Sequence, residues 1–253
     1  MNSNAQWLAR RITSLGLSVR RITVVGDDVD EISVAVLEAI QRKPCFIITT
    51  GGLGPTFDDK TLDGIAKALG RKLREDEKAL EMIKGKYQRY VDEGRIEKFE
   101  LTPPRIKMAK IPEGAETFYN PVGTAPGVLA RHEDVNLVML PGVPEEMKAI
   151  FDGSVESLLR RIAGNVTFFE ASIQVKRIPE SDIAPIIDRV MRDNPYVYIK
   201  SHPRVGGKVP HLELHLSTTS RNPEEARRRV SGALIQISEL IQQKGGDVKP
   251  TKA

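Results

Sequence analysis

The sequence has few of the features that mark secreted, membrane-spanning or disulfide-stabilised proteins. It contains one cysteine, Cys45, so an intramolecular disulfide is excluded and a reducing cytoplasm is the expected location. Cys45 sits inside a short apolar strand pattern, and we therefore expect its thiol to be buried and unreactive. The longest apolar runs, such as 45–48, are far too short to span a bilayer, and the first residues do not resemble a secretory signal.

An excess of charge of one sign is also missing. Lysine and arginine total 38 against 34 aspartates and glutamates, which gives a net charge of +4. A protein that binds nucleic acid through its phosphates usually has a larger, clustered excess of positive charge. We therefore expect no nucleic-acid partner and no membrane partner.

Helix and strand patterns alternate through the first 163 residues. Apolar residues at helical spacing predict helices near 4–15, 29–42, 61–69 and 75–93. Strands are predicted at 19–25, 46–50, 126–130 and 135–140, the last two as a hairpin. This order predicts a three-layer αβα domain over 1–163, with a mostly parallel sheet between two layers of helices.

The helix near 75–93 has one apolar face and one charged face. Such a helix can serve as a lid or as the contact surface between copies of the chain, and both alternatives stay open. We expect a homo-oligomer.

The pattern changes at Gly164. Strand, helix, strand, strand and helix are predicted at 167–176, 180–193, 196–201, 209–218 and 222–243. This βαββα order predicts a small α/β domain over 164–245, followed by a disordered tail at 246–253.

A glycine-rich loop follows the apolar strand 46–50. It contains Thr50, Gly51, Gly52, Leu53 and Gly54, and Thr61 begins the next helix. Ligands of open α/β sheets bind beyond the carboxyl ends of the strands, and glycines let the backbone approach a ligand closely. The free N–H groups at a helix start suit an anion. The loop therefore predicts a site for a phosphate or pyrophosphate.

Two adjacent acids, Asp58 and Asp59, stand between that loop and the helix. In one interpretation they only cap the helix. In the other, one acid caps while the pair holds a divalent cation that bridges to the phosphate. The second is favoured because a second acid would otherwise repel the anion. Asp58 and Asp59 are therefore the predicted catalytic residues and metal ligands.

Two further loops lie at predicted strand ends. After the strand 19–25, Asp28 or Asp30 is a candidate helix cap and Asp27 is the candidate catalytic residue. Farther along the chain, Pro-Gly turns are expected to expose N–H groups, and Pro144 suits the first position of a helix. The predicted binding residues there are Gly123, Thr124, Ala125, Pro141, Gly142 and Pro144. Together the loops predict a ligand with two phosphate groups.

The segment 50–61 closely resembles the loop of the CinA (competence/damage-inducible protein A) N-terminal domain family. It is similar to the Thr-Gly-Gly-Thr-Gly loop of the molybdopterin adenylyltransferases, the MogA, MoaB and gephyrin group. The segments 2–6, 120–127 and 140–147 resemble further landmarks of the CinA family, so the resemblance spans roughly residues 2–160. It implies a molybdopterin-binding fold and a nucleotide or pterin ligand. The C-terminal part resembles the KH-like domain of CinA relatives.

The resemblance also carries implications for activity. Asp59 matches the acid of the adenylyltransferases' Arg-Asp pair and Asp27 matches their other important acid, whereas Asp58 stands where those enzymes have arginine. In CinA-type domains this loop is associated with metal-dependent hydrolysis of ADP-ribose. The implied cofactor is a divalent metal ion (magnesium, cobalt or nickel), with potassium as a further candidate. Molybdopterin adenylyl transfer, and binding of a pterin or nucleotide without turnover, remain as alternatives.

This sequence departs from the family pattern at its start. Family members open with a strand and a Gly-Thr-Glu segment before the Asn-Thr-Asn helix, whereas this sequence begins at the helix. A sheet without that strand is expected to have an unpaired gap, and the site to lack one strand-end loop. Either the natural start lies upstream or this form is impaired. No deamidase domain follows, so the deamidase activity of longer CinA proteins is not implied.

Overall fold

The computed structural model describes residues 2–164, 166–203 and 211–251. The chain divides into two units, one formed by Met1–Ala9 and Val19–Ile162 and the other by Arg10–Ser18 and Ala163–Ala253. No helix among the described residues is long and apolar enough to cross a membrane.

The described elements up to residue 163 follow one another closely along the chain. They are α1 (Ser3–Ser14), α2 (Val29–Gln41), β1 (Phe46–Thr50), α3 (Thr61–Ala68), β2 (Leu73–Glu75), α4 (Glu77–Asp92), α5 (Pro103–Lys107), β3 (Lys110–Pro112), β4 (Glu116–Phe118), β5 (Gly127–His132), β6 (Val135–Leu140), α6 (Pro144–Ile150), a π-helical turn (Phe151–Val155) and α7 (Glu156–Ala163). The predicted helices at 4–15, 29–42, 61–69 and 75–93 are confirmed, as is the β5–β6 hairpin.

The main sheet of the first unit is mixed. Its strand order is β1–β6–β5–β4, in which β1 pairs with β6 in parallel and the other two pairs are antiparallel. The predicted α/β class is therefore confirmed, but the prediction of a mostly parallel sheet is wrong. Strand β5 pairs antiparallel with both β6 and β4. The expected parallel strand at 19–25 does not join the sheet.

The prediction of a strand at 19–25 is wrong. None of the described strands pairs with this segment, and β1 is paired on one side only, with β6. Ile22 is 58% exposed and Val24 is 78% exposed. A strand requires a neighbour that accepts and donates its ladder hydrogen bonds, and an apolar, β-branched sequence does not supply that neighbour.

Helices cover both faces of the main sheet. On one face, Ile32 of α2, Ile65 of α3 and Ile83 of α4 share a buried cluster with Val128 and Met139 of the sheet. On the other face, α6 approaches so closely that a Cβ added at Gly127 would lie 2.9 Å from Ile150 Cγ2. Beyond it, the Trp7 and Phe151 rings meet edge to face with centroids 5.2 Å apart. The first unit is therefore a three-layer αβα domain.

The exposure of Cys45 differs from expectation. The residue directly precedes β1 and its side chain is exposed rather than buried. Its carbonyl oxygen accepts hydrogen bonds from the Asn136 backbone N–H and from Asn136 Nδ2, both at 3.1 Å. The strand begins only at Phe46, one residue later, so Cys45 lies outside it.

The second unit is an antiparallel sheet with helices on one face. Its elements after residue 166 are β7 (Thr167–Lys176), α8 (Glu180–Asp193), β8 (Tyr198–Pro203), β9 (His211–Ser220), α9 (Pro223–Gln243) and β10 (Asp247–Pro250). The strand order is β10–β7–β9–β8, and Leu214 and Ile237 are fully buried between sheet and helices. The predicted βαββα order is confirmed. Residues 209 and 210 of its third predicted strand lie outside the described residues.

The predicted disordered tail at 246–253 is wrong for its described part. Asp247–Pro250 forms β10, which pairs antiparallel with β7, while 252 and 253 lie outside the described residues. Asp247 forms an ion pair with Arg177, and Val248 packs against the core of this unit. One apolar residue among polar ones carried too weak a signal for sequence reasoning to identify a strand.

Candidate functional site

The loop after β1 folds back onto the start of α3, and glycines are required for this path. We call residues 51–54 the glycine turn. Gly51 and Gly52 have φ angles of +95° and +70°, in the left-handed region. A Cβ at Gly52 would lie 2.1 Å from Thr61 Oγ1, and one at Gly54 would lie 2.5 Å from Asp59 Oδ2. The backbone therefore has no room for side chains at these positions.

Unsatisfied donors are concentrated at this turn. Five backbone N–H groups have no acceptor among the described residues, namely those of Gly52, Leu53, Gly54, Leu62 and Asp63. The last two belong to the first turn of α3, whose N-cap residue makes no side-chain capping bond. Consecutive free amides next to a helix N-terminus form a region of positive potential that suits an anion.

A cavity of about 180 Å³ lies beside the glycine turn; we call it the turn cavity. It is lined by Gly52, Leu53, Gly54, Asp59, Leu62, Asp63, Leu73, Lys107 and Lys110. Pockets that enclose drug-sized ligands usually measure about 300–1,000 Å³. The turn cavity therefore fits a phosphate-sized group rather than a complete dinucleotide.

The two predicted acids differ in their surroundings. Asp59 Oδ2 accepts hydrogen bonds from the Thr56 N–H at 2.9 Å and from the Thr56 hydroxyl at 2.6 Å. Asp59 therefore does not cap α3, but closes the short turn 56–59, which we call the acidic turn. Asp58 is exposed. Neither acid caps α3, because Lys60 occupies the N-cap position, so the capping role that both interpretations gave to the pair is wrong.

Asp58 is held in its ionised form. The Thr56 hydroxyl and the residue's own backbone N–H lower the pKa of Asp58 below its ordinary value of 3.8, and Lys107 and Lys60 lower it further. The same hydroxyl donates to Asp59 Oδ2 at 2.6 Å, so the two carboxylates share one donor. At neutral pH an exposed carboxylate is therefore available at the edge of the turn.

Lys107 holds the acidic turn through hydrogen bonds to its backbone, and the sequence did not predict this role. The last residue of α5, it donates from Nζ to the Thr56 carbonyl and, at 2.7 Å, to the Asp59 carbonyl. It also lines the turn cavity. The contact joins residues 48 positions apart, so no local pattern in the sequence could have indicated it.

The donor set at the acidic turn fits a cation only in part. Within 2–164, 166–203 and 211–251 no group of three histidines, cysteines, aspartates or glutamates is arranged to hold a metal ion. Asp58 is exposed, and Asp59 has one oxygen, Oδ1, without a hydrogen-bond partner among those residues. Two carboxylates suit an ion such as magnesium when phosphate oxygens and water complete its coordination.

The second predicted loop lies beside the first. Asp28 accepts hydrogen bonds from the N–H groups of Asp30 and Glu31 and is thus the cap of α2, which decides between the two predicted candidates. The Glu31 and Asp30 amides lower the pKa of Asp28, and the positive charges of Lys60 and Lys67 lower it further. Asp27 is exposed and makes no hydrogen bond or ion pair with any described residue.

The third loop contacts the glycine turn where Gly142 lies against Gly51. A Cβ at Gly142 would lie 3.3 Å from Gly51 Cα, and the Gly51 N–H donates to the Leu140 carbonyl at 2.9 Å. Asn4 of α1 donates from Nδ2 to the Gly142 carbonyl at 2.8 Å, and its Oδ1 is buried without a partner. The structure therefore brings Thr50, Gly51 and Gly142 together with the start of α1.

The other half of the third loop does not expose free amides as the sequence suggested. Asn120 Oδ1 accepts from the Val122 N–H at 3.0 Å and from the Gly123 N–H at 2.8 Å. Asn120 Nδ2 donates to the Ala125 carbonyl at 2.8 Å and to Glu146 at 2.7 Å. Because the Val122 and Gly123 N–H groups already donate to Asn120, the turn offers few free donors to a second phosphate. The side chains of three predicted contact residues are buried, namely Leu53, Ala125 and Pro141.

Comparisons with known proteins agree with this fold. Residues 1–161 match the family described as probable molybdopterin binding domain. Protein PAE0875 of Pyrobaculum aerophilum is 47% identical over 249 residues, which cover 98% of this chain and 90% of that protein. A protein of Sulfolobus acidocaldarius is 40% identical over 250 residues, covering 98% of this chain and 90% of its own length.

A solved structure is similar as well. The crystal structure of the protein CinA with unknown function from Thermoplasma acidophilum shares 42% identity and superposes with a TM-score of 0.56, over 62% of this chain and 88% of that one. The sequence-based assignment is thereby confirmed: the chain belongs to the probable molybdopterin binding domain family, and its matched region is CinA-like.

Proposed function

We propose that the first unit binds a phosphate group of a nucleotide in the turn cavity and hydrolyses the pyrophosphate bond of ADP-ribose or a related dinucleotide in a metal-dependent reaction. The observation that carries the proposal is the set of five acceptor-free N–H groups next to an ionised Asp58. These groups offer both the donors that an anion needs and the carboxylate that a bridging cation needs.

Binding is supported by the free N–H donors around the turn cavity. The backbone N–H groups of Gly52, Leu53 and Gly54 donate to phosphoryl oxygens, and Lys107 and Lys110 add positive charge. The same donors stabilise the extra negative charge that develops on these oxygens when water attacks phosphorus. Since the Lys107 ammonium already holds the carbonyls of Thr56 and Asp59, the acidic turn is fixed before the ligand arrives.

Asp58 and Asp59 are the residues that would hold the cation. A divalent ion there supplies charge neutralisation and a more acidic bound water. Hydrolysis adds one water across the phosphoanhydride and releases AMP and ribose 5-phosphate. The acidic turn keeps both carboxylates beside the glycine turn through the Thr56–Asp59 hydrogen bonds.

The test is AMP release from ADP-ribose by the purified chain with magnesium, cobalt or nickel. Asp58→Asn is expected to lower the rate by about 100-fold or more, since electrostatic stabilisation by a metal is worth several kcal/mol. Asp63→Asn is the matched control, because Asp63 lines the same cavity but is not a proposed ligand. No AMP with any of the metals, or equal loss in both variants, contradicts the proposal.

Binding without turnover is the second candidate. It is favoured by the small number of metal-ligating side chains, because the described residues provide no group of three histidines, cysteines, aspartates or glutamates that could hold a metal ion. Under this alternative, ADP-ribose or a pterin is recovered unchanged from a tight complex, and Asp58→Asn alters affinity but reveals no catalytic step.

A further inference from the structure

Phe57 is the most exposed large apolar side chain among the described residues. Its side chain is 89% exposed, although it stands in the middle of the acidic turn. An apolar ring in water forgoes the stabilisation that burial would give. Its neighbours on both sides have roles in the turn, whereas Phe57 itself forms no ring contact with the rest of the described chain.

The backbone that carries Phe57 is nevertheless held firmly. On its N-terminal side, Thr56 donates through N–H and hydroxyl to Asp59 Oδ2, at 2.9 and 2.6 Å. The Lys107 ammonium donates hydrogen bonds to the carbonyls of Thr56 and Asp59. Pro55 limits the φ angle where the chain enters the turn. The Cα atom of Phe57 is therefore held at a fixed position rather than on a loose loop.

That position is two residues from Asp59, which lines the turn cavity. Thr56 is bonded to Asp59 and Lys107, both of which line the cavity, and the Phe57 Cα follows that of Thr56 by about 3.8 Å. The cavity, at about 180 Å³, holds a phosphate but not the remainder of a nucleotide. The ribose and ring of such a ligand must therefore extend outside it.

We infer that Phe57 stacks on the planar heteroaromatic ring, adenine or pterin, of the ligand whose phosphate occupies the turn cavity. The inference rests on the binding part of the proposed function and is independent of hydrolysis. Stacking on an aromatic side chain does not require charge, so the neighbouring Asp58 carboxylate does not oppose it.

The test compares ligands with and without a ring, using the full chain and calorimetric affinities. The ring-bearing ligands are AMP and neopterin phosphate, and the ring-free ones are ribose 5-phosphate and pyrophosphate. Phe57→Ala is expected to weaken binding of a ring-bearing ligand about 5- to 100-fold and to leave ring-free ligands within about twofold. Phe57→Trp is expected to restore affinity and to show quenched fluorescence in the complex. Ile235→Ala, which shortens another exposed apolar residue, is the control.

Each outcome has a distinct meaning. Loss with AMP alone assigns the ring to adenine, and loss with neopterin phosphate alone assigns it to a pterin. Equal weakening of ring-bearing and ring-free ligands by Phe57→Ala contradicts stacking. Unchanged affinity of this variant contradicts it as well. If its sedimentation coefficient is then altered, Phe57 contacts a second copy of the chain instead. If the wild-type chain binds none of the four ligands, the proposed function fails as well.

Discussion

Gly52 shows how one residue can determine the shape of a site. Its φ of +70° costs a residue with a side chain about 1–2 kcal/mol, and the Thr61 hydroxyl occupies the space of its Cβ. Gly52→Ala is therefore expected to lower the free energy of unfolding by more than this amount. Urea unfolding followed by Trp7 fluorescence measures it, because the chain has one tryptophan and it lies in the first unit.

A matched substitution is available in α4. Gly85 has a helical backbone and nothing within 4 Å of an added Cβ. Gly85→Ala is expected to raise stability by about 0.5–1 kcal/mol, since alanine favours the helix interior. An unchanged or more stable Gly52→Ala protein would contradict the backbone argument at the glycine turn.

The pH dependence of the site follows from Asp58. Its pKa is lowered in the folded chain, so the carboxylate stays ionised as pH falls to 3.8, and any stability or cation binding it gives is lost only below that value. Thr56→Val is expected to raise its titration midpoint in carboxyl carbon NMR, because the Thr56 hydroxyl is the largest cause of the shift. Thr61→Val should leave the midpoint unchanged, and an equal change in both variants would rule out the assigned cause.

Some site residues were accessible to sequence reasoning and others were not. The glycine turn was predicted because strand, glycines and helix are contiguous. Lys107 was missed because its contacts bridge 48 residues, and the self-satisfied turn at Asn120 was mistaken for an open one because hydrogen-bond partners cannot be read from residue type.

Helices and strands show a similar division between local and nonlocal causes. The predicted limits 167–176 and 180–193 coincide with β7 and α8, where apolar periodicity is strong and local. The segment 19–25 has an equally strong β pattern but pairs with none of the described strands. Three-residue strands such as β2, β3 and β4 carry too few residues for a period to be recognised.

The unpaired segment 19–25 has a physical consequence. Unpaired apolar strands and open sheet edges are templates for contact between chains, and β1 has one such edge. Val24→Lys is expected to reduce concentration-dependent association in sedimentation velocity without lowering thermal stability, because Val24 is 78% exposed. Ile235→Lys, on an exposed helix face, is the control and should have no effect. Equal association of wild type and Val24→Lys would contradict this expectation.

Across the whole chain, the fold family was predictable because its motifs recur in order over residues 2–160. The division into units was less accessible. Arg10–Ser18 belongs with the second unit, and a Cβ at Gly16 would lie 2.9 Å from Val166 Cγ1. A boundary at 163 treats each domain as one continuous stretch, so it cannot assign an N-terminal segment to the C-terminal unit.

In the proposed site, the free N–H groups of the glycine turn bind a phosphate. Amide NMR of the chain titrated with ADP-ribose and magnesium tests it most directly. We expect the resonances of Gly52, Leu53 and Gly54 to shift together, while that of Gly123, whose N–H already binds Asn120, stays in place. Shifts confined to other residues, or a glycine turn that does not respond at saturating ligand, would contradict phosphate binding at this turn.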